Sequence, residues 1–236
     1  MRGLGDNIFQ RAFVKRIPEK VYIDTPWPEL YGDVKGVRFI KPQTRLRTQA
    51  KNIARARRGW HGVPGGHTAV KIRYGSGGII EGMRRCFGFD PGPLTLPPTG
   101  TPPVTGDYVV VRPVTLRSEW RAESRNPRPE YVAEAAAFFR DKGYKVVSVA
   151  DLQRGAEWLV GDAPPATSRF HNGELKIESL MALIANARAV VGGIGWIVPA
   201  AIAAGVPAWF ICGGNGGFNA PELVTDKRCM DLSRVG

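Results

Sequence analysis

The residues best suited to chemistry stand at the start of the chain. Gly3-Leu4-Gly5-Asp6-Asn7 precedes a helical run. Glycines there permit a tight turn and close approach of a ligand to the backbone, and a helix N-terminus favours negative charge. Asp6 is a carboxylate that can take a proton from a hydroxyl. It also suits plain capping of a helix expected over Ile8 to Ile17, stopped by Pro18. Two further glycine turns lie far downstream: Gly192-Gly193-Ile194-Gly195, and Gly213-Gly214-Asn215-Gly216-Gly217. Each is expected to follow the carboxyl end of a strand. Backbone N–H groups in such turns can hold a diphosphate, and glycines used only for tight strand-to-helix turns are the plainer alternative. A third group runs from Arg112 through Thr115 and Arg117 to Arg125-Asn126-Pro127. Its arginines offer planar, permanently charged forks for phosphate, or surface partners for Glu119 and Glu123.

These residues need elements to carry them. Asp90 to Gly106 holds six prolines and can sustain neither helix nor central strand, so it is expected to contain the link between two domains. The assigned boundaries are 1–95, a linker at 96–106, and 107–236. Beyond it, Tyr108 to Val111, Lys145 to Val149, Ala189 to Val191 and Ala208 to Cys212 read as buried strands. Pro129 to Lys142, Ser179 to Ala187 and Val198 to Ala204 read as helices. That alternation predicts a parallel, doubly wound sheet. In the first half, Lys20 to Asp24 and Val37 to Ile40 are expected strands. Gln43 to Arg58 has too few apolar residues for a helix face, and Gly59 to Gly82 is expected to be loop.

Charge divides the chain at the same place. Residues 1–105 carry 18 Lys+Arg against 7 Asp+Glu, and the remainder 15 against 14, within a net charge of +12. The first half is therefore expected to meet a phosphate-rich partner through Arg45, Arg47, Arg55, Arg57 and Arg58, with Trp60 available to stack, or else to be a solvated basic surface. Three cysteines without CxxC spacing and three histidines suggest no metal site. No stretch reads as a bilayer span and no apolar leader opens the chain, so the expected compartment is the cytoplasm, a host's if the chain is phage-encoded.

Together the motifs resemble the heptosyltransferase-like glycosyltransferases, family nine of the GT-B superfamily. Gly3 to Asp6 matches that family's N-terminal turn. Leu180-Met181-Ala182-Leu183-Ile184-Ala185-Asn186-Ala187-Arg188-Ala189-Val190-Val191-Gly192 follows its approach to a glycine turn, and Ala203 to Pro207 continues it. Thr115 to Pro127 matches loosely its Thr-rich turn with a downstream basic residue before a proline. The resemblance implies an α/β, GT-B-like fold of two Rossmann-type domains with parallel sheets facing across a cleft, minimal or truncated in form. It implies transfer of a sugar from a nucleotide sugar without metal or other cofactor. Asp6 would be the base, with Gly5, Asn7 and the five arginines at the acceptor. Arg112, Thr115, Arg117, Arg125, Gly195, Gly213, Gly214, Asn215 and Gly216 would hold the donor. Where the family has an acidic D-S-G turn and a following histidine, Gly193 to Val198 has neither, so the donor's sugar does not carry over. The charge points to DNA with a hydroxymethylated base as the acceptor, its base flipped into the cleft. Alternatives are a lipopolysaccharide or other saccharide acceptor, and a non-catalytic nucleic-acid-binding module on a degenerate transferase fold. A dinucleotide oxidoreductase lacks its GxGxxG opening.

Overall fold

The computed structural model describes residues 3–121, 123–214 and 220–236. Helix α1 (Leu4–Val14) buries Ile8, Phe9, Ala12 and Phe13 on one face. It begins earlier than the apolar pattern predicts, because Asp6 reaches back to accept the Gly3 N–H at 3.0 Å and closes the first turn. It ends before Pro18, which disfavours helical geometry at Ile17. Strands β1 (Val21–Asp24) and β2 (Val37–Ile40) follow, with a 3-10 turn at Pro28–Tyr31 between them.

Helix α2 (Arg47–Arg55) lies in the stretch with too few apolar residues for a helix face, and helix α3 (Gly78–Phe87) begins inside the stretch expected to be loop. A helix polar on nearly every face is stabilised by what it bridges. Here α2 bridges the halves: Arg47 and Lys51 pair with Asp151 at 2.9 and 2.6 Å, and Thr48 hydrogen-bonds the same carboxylate. Glycine content hid α3. Its first turn admits Gly78 at φ 89° because a Cβ there would meet the Leu223 carbonyl oxygen at 2.8 Å, while Ile80 and Met83 supply a buried face. The short strand β3 (Trp60–His61) completes a three-stranded parallel sheet of order β1-β2-β3.

Residues 90–106 form neither helix nor strand, as their prolines require. They are nonetheless docked: Leu94 is buried and donates its N–H to Cys229, and Gly92 donates to Ala12. Past them come β4 (Tyr108–Arg112), β5 (Thr115–Arg117), α4 (Pro129–Asp141), β6 (Lys145–Val149), β7 (Glu157–Leu159) and β8 (Ser168–Phe170). Then follow α5 (Ile177–Ala185), β9 (Ala189–Gly193), α6 (Ile197–Ala204), β10 (Ala208–Ile211) and α7 (Pro221–Val224). Five of these strands make a fully parallel sheet of order β10-β9-β4-β6-β8, the doubly wound arrangement that the alternation predicts. Strands β5 and β7, unforeseen, pair antiparallel beside it.

Both sheet faces are covered. Val109, Val111, Val146 and Val191 pack under α4 through Val132, Ala136 and Phe139. Tyr108, Val110, Val147 and Val190 face the other way, into a cluster that includes Ile8 and Phe13 of α1, Ile23 of β1 and Ala200 of α6. The halves therefore share one core in addition to the linker.

Arg11 closes that core at its polar edge. Its guanidinium is wholly buried and donates to both Asp33 carboxylate oxygens, to Leu30 O at 2.6 Å and to Thr95 O at 2.9 Å. Pairing of this kind offsets the cost of taking the charge out of water. Arg11→Ala is expected to destabilise the fold by about 3–5 kcal/mol, measured by urea unfolding. The pair also confers acid sensitivity. Burial alone would raise the Asp33 carboxyl, but the hydrogen bonds and charge of Arg11 outweigh it and hold the group below its ordinary value. A carboxyl depressed in the folded state stabilises above its unfolded pKa, and that contribution is lost as pH falls through the folded value. Stability should decline below about pH 4, and Asp33→Asn should flatten the decline; an unaltered acid limb would exclude the pair as its source.

Candidate active site

In the five-stranded sheet the strand order reverses between β4 and β9, and open parallel sheets bind ligands at the carboxyl ends flanking such a reversal. Arg112 ends β4 there, and the turn after β9 leads through Gly195 into the N-terminus of α6. A Cβ on Gly195 would lie 2.7 Å from Arg112 Nη1 and 3.9 Å from Arg125 Nη2, so this glycine lets the backbone lie against both guanidinium groups.

The side chain of Arg112 makes no hydrogen bond or ion pair among the described residues. Burial and the charges of Arg117 and Arg125 lower it to about 10, against the opposing pull of Glu157, and it stays a cation at neutral pH. Arg125 donates to Ile194 O at 3.2 Å and lies 5.3 Å from the Trp120 ring centroid. Burial lowers it as well, with Asp6 opposing and Arg117 assisting. Glu157, almost fully buried, is the counter-charge. It pairs with Arg117 at 2.8 Å and accepts the Thr115 hydroxyl at 3.0 Å. Thr115 and Arg117 are thus engaged inside the fold, whereas Arg112 and Arg125 keep free donor capacity toward an anion.

Asp6 reaches this crevice from the other half. A Cβ on Gly5 would come within 3.1 Å of Trp196 Cα and 3.5 Å of Pro199, so the first turn of α1 rests on the first turn of α6. One Asp6 oxygen caps Gly3; the other accepts the hydroxyl of Tyr74. Tyr74 was not foreseen: it lies in the glycine-rich stretch, where no periodicity marks a side chain. Its hydroxyl is held well above its ordinary range by burial, then by the charge and hydrogen bond of Asp6, and so remains a donor.

Other expected site residues are placed differently. Asn7 is fully buried, donating to Gly3 O and accepting from Thr25 and Tyr31, and it braces the turn instead of facing a ligand. Gly5 serves helix packing. Gly213 lies against the carbonyl oxygens of Ser124 and Asn126, at 2.6 and 2.8 Å from where its Cβ would be, which brings the second glycine turn to the Arg125 segment. Gly214 takes a positive φ of 76° beside it. Asn215 and Gly216 lie outside the described residues. Of the basic run, Arg47 is bound to Asp151 and Glu157 and Arg55 donates to Gly173 O. Arg58 folds over Gly32, while Arg45 and Arg57 are exposed. A groove of ≈ 280 Å³ between Glu29, Arg58, Pro97 and Glu178 contains none of the crevice residues.

No protein-family model and no curated protein matches the chain. Solved structures do. The dodecameric, iron-containing glycosyltransferase TibC from enterotoxigenic E. coli H10407 is 15% identical, with a TM-score of 0.61 over 88% of this chain and 55% of that one. TibC in complex with ADP-D-beta-D-heptose is 16% identical, with a TM-score of 0.63 over 93% and 57%. E. coli ADP-heptose LPS heptosyltransferase II is 14% identical, with a TM-score of 0.53 over 89% and 82%. The chain spans a little over half the length of TibC. At such identities the likeness is one of fold, and the fold is that of the heptosyltransferase-like glycosyltransferases.

An anion site at the reversal has a direct test. Inorganic pyrophosphate should bind, and Arg112→Met and Arg125→Met should each weaken it by about 10- to 100-fold, the loss of a charge-assisted contact. Calorimetry measures this, and equal affinity in all three proteins would remove the arginines from the site.

Proposed function

We propose that the chain transfers a sugar from a nucleoside diphosphate donor to a hydroxyl of a saccharide acceptor. The observation that carries this reading is that the first turn of α1, which holds Asp6, packs on the first turn of α6 beside the Gly195 turn, with the charge of Asp6 acting on Arg125 and with Arg112 next to it. A carboxylate and an anion site face each other, which is what displacement at an anomeric carbon needs. The donor's diphosphate would lie on the two arginines and the positive end of α6. As its bond to the anomeric carbon breaks, those groups stabilise the growing negative charge. The acceptor hydroxyl forms the new bond and gives its proton to Asp6.

The fold neighbours support a nucleotide-sugar donor, since one is described with ADP-heptose bound and another as a lipopolysaccharide heptosyltransferase. They also favour a saccharide over the DNA that the charge suggested. Physical reasons agree. Arg47, Lys51 and Arg55 spend their donors on Asp151, Glu157 and Gly173, and Trp60 packs against the core. Part of the basic run is therefore a seam between the halves, while Arg45 and Arg57 stay exposed. TibC is described as iron-containing; among the described residues no three His, Cys, Asp or Glu side chains converge, and no step here runs through a metal.

A nucleotide sugar that fits should raise the thermal midpoint of the protein. Asp6→Asn should keep that rise while lowering transfer by about 10²–10⁴-fold, the usual worth of a general base. A fully active Asp6→Asn variant would take Asp6 out of the mechanism.

A further inference from the structure

The contact between Tyr74 and Asp6 is not required by the fold of either element. Asp6 completes its capping role with Oδ2 alone, and Oδ1 is the oxygen left to receive a proton. Tyr74 places a hydroxyl on that oxygen. It belongs to residues 62–77, an irregular segment between β3 and α3 containing five glycines. Only the end of the segment is fastened: Arg73 bonds through its backbone to Cys86, Arg85 donates to Ser76 O, and Gly82 abuts Arg73 and Tyr74. Among the described residues, the hydrogen bond found within 62–71 is internal, between His67 and Pro64. Lys71 and Arg73 are exposed to solvent, and the Tyr74 side chain is partly so, with its hydroxyl turned in to Asp6.

We infer that Tyr74 is an occluding latch: while no acceptor is bound its hydroxyl holds the place of the acceptor hydroxyl on Asp6, and the acceptor must displace it, carrying segment 62–77 aside. This rests on the reading of Asp6 as base. An aryl hydroxyl and an acceptor hydroxyl offer the carboxylate the same donor, so exchange conserves the hydrogen bond. The latch has a chemical use. With Oδ1 open, water could take the acceptor's part: its oxygen would bond to the anomeric carbon, its proton would pass to Asp6, and the nucleoside diphosphate would leave with the electron pair of the broken bond. Tyr74 keeps water from that position until an acceptor arrives.

Tyr74→Phe keeps the ring and removes the latch. Two measurements test it. In donor-free protein, trypsin should cut after Lys71 or Arg73 about 5- to 10-fold faster in Tyr74→Phe than in the parent, because cleavage follows the open population and one hydrogen bond has been lost. With ADP-heptose, ADP-glucose or UDP-glucose and no acceptor, release of the nucleoside diphosphate should rise by about tenfold or more in Tyr74→Phe, and adding Asp6→Asn should abolish the rise. Equal tryptic rates overturn the latch whatever the donor. Faster cutting with unchanged or slower hydrolysis of a sugar nucleotide that the parent binds overturns the exclusion of water. Failure of the parent and both variants to bind any of the three sugar nucleotides counts against the transferase reading instead, and leaves the tryptic result to decide the latch.

Discussion

Where α1 meets α6, two helix N-termini from opposite halves come together with almost no side chain between them. Gly5 stands against the Trp196 backbone, where any Cβ would need the neighbour to give way. Close packing of this kind turns a small steric change into a displacement of the whole helix. Asp6 is the next residue, so its reach toward Arg125 is set by that contact. The shared core beneath, from Ile8 and Phe13 to Ile197 and Ala200, keeps the two turns in register.

Around this contact the charges form a connected set. Glu157 pairs with Arg117 and Arg47 and accepts from Thr115, and Asp151 pairs with Arg47 and Lys51. Burial opposes the charge on Asp151, but the hydrogen bonds and charges of Lys51 and Arg47 prevail and hold its carboxyl below the ordinary range. Through Arg47, helix α2 is tied to Glu157, the same carboxylate that pairs with Arg117 beside the crevice. Removing one member of such a set leaves the others without a partner, so the α2 interface and the Thr115–Arg117 segment beside the crevice are energetically joined. Arg112 makes no ion pair within the set, although the charge of Glu157 acts on it, and with Arg125 it gives the crevice its positive sign.

Much of this was legible before any coordinates. The strands 108–112, 145–149, 189–193 and 208–211 announce themselves as continuous apolar runs, because a parallel sheet covered on both faces needs no polar alternation. The glycine turns after β9 and β10 follow from the same alternation, and Asp6 was conspicuous because a carboxylate beside glycines at a helix start is chemically suggestive. Helix α2, helix α3 and Tyr74 were not legible. The first is held by polar contacts to residues some hundred positions away, the second hides behind glycines, and the third acts through a single long-range hydrogen bond.

The sequence by itself determined the doubly wound second half, the proline-enforced break near residue 100, and which residue types are available to meet a diphosphate. Those properties depend on local pattern and on the chemistry of single residues. Only the tertiary structure decided which of those groups are free. Arg47, Thr115, Arg117 and Asn7 have the same side chains as any ligand-binding residue, and are spent because a partner from elsewhere in the chain lies within hydrogen-bond distance. The tertiary structure also decided which charges of the basic run are paired across the halves, Arg47 and Lys51, and which stay exposed, among them Arg45 and Arg57. Formal charge adds along a chain regardless of fold, but the field it presents depends on where the opposite charges come to rest.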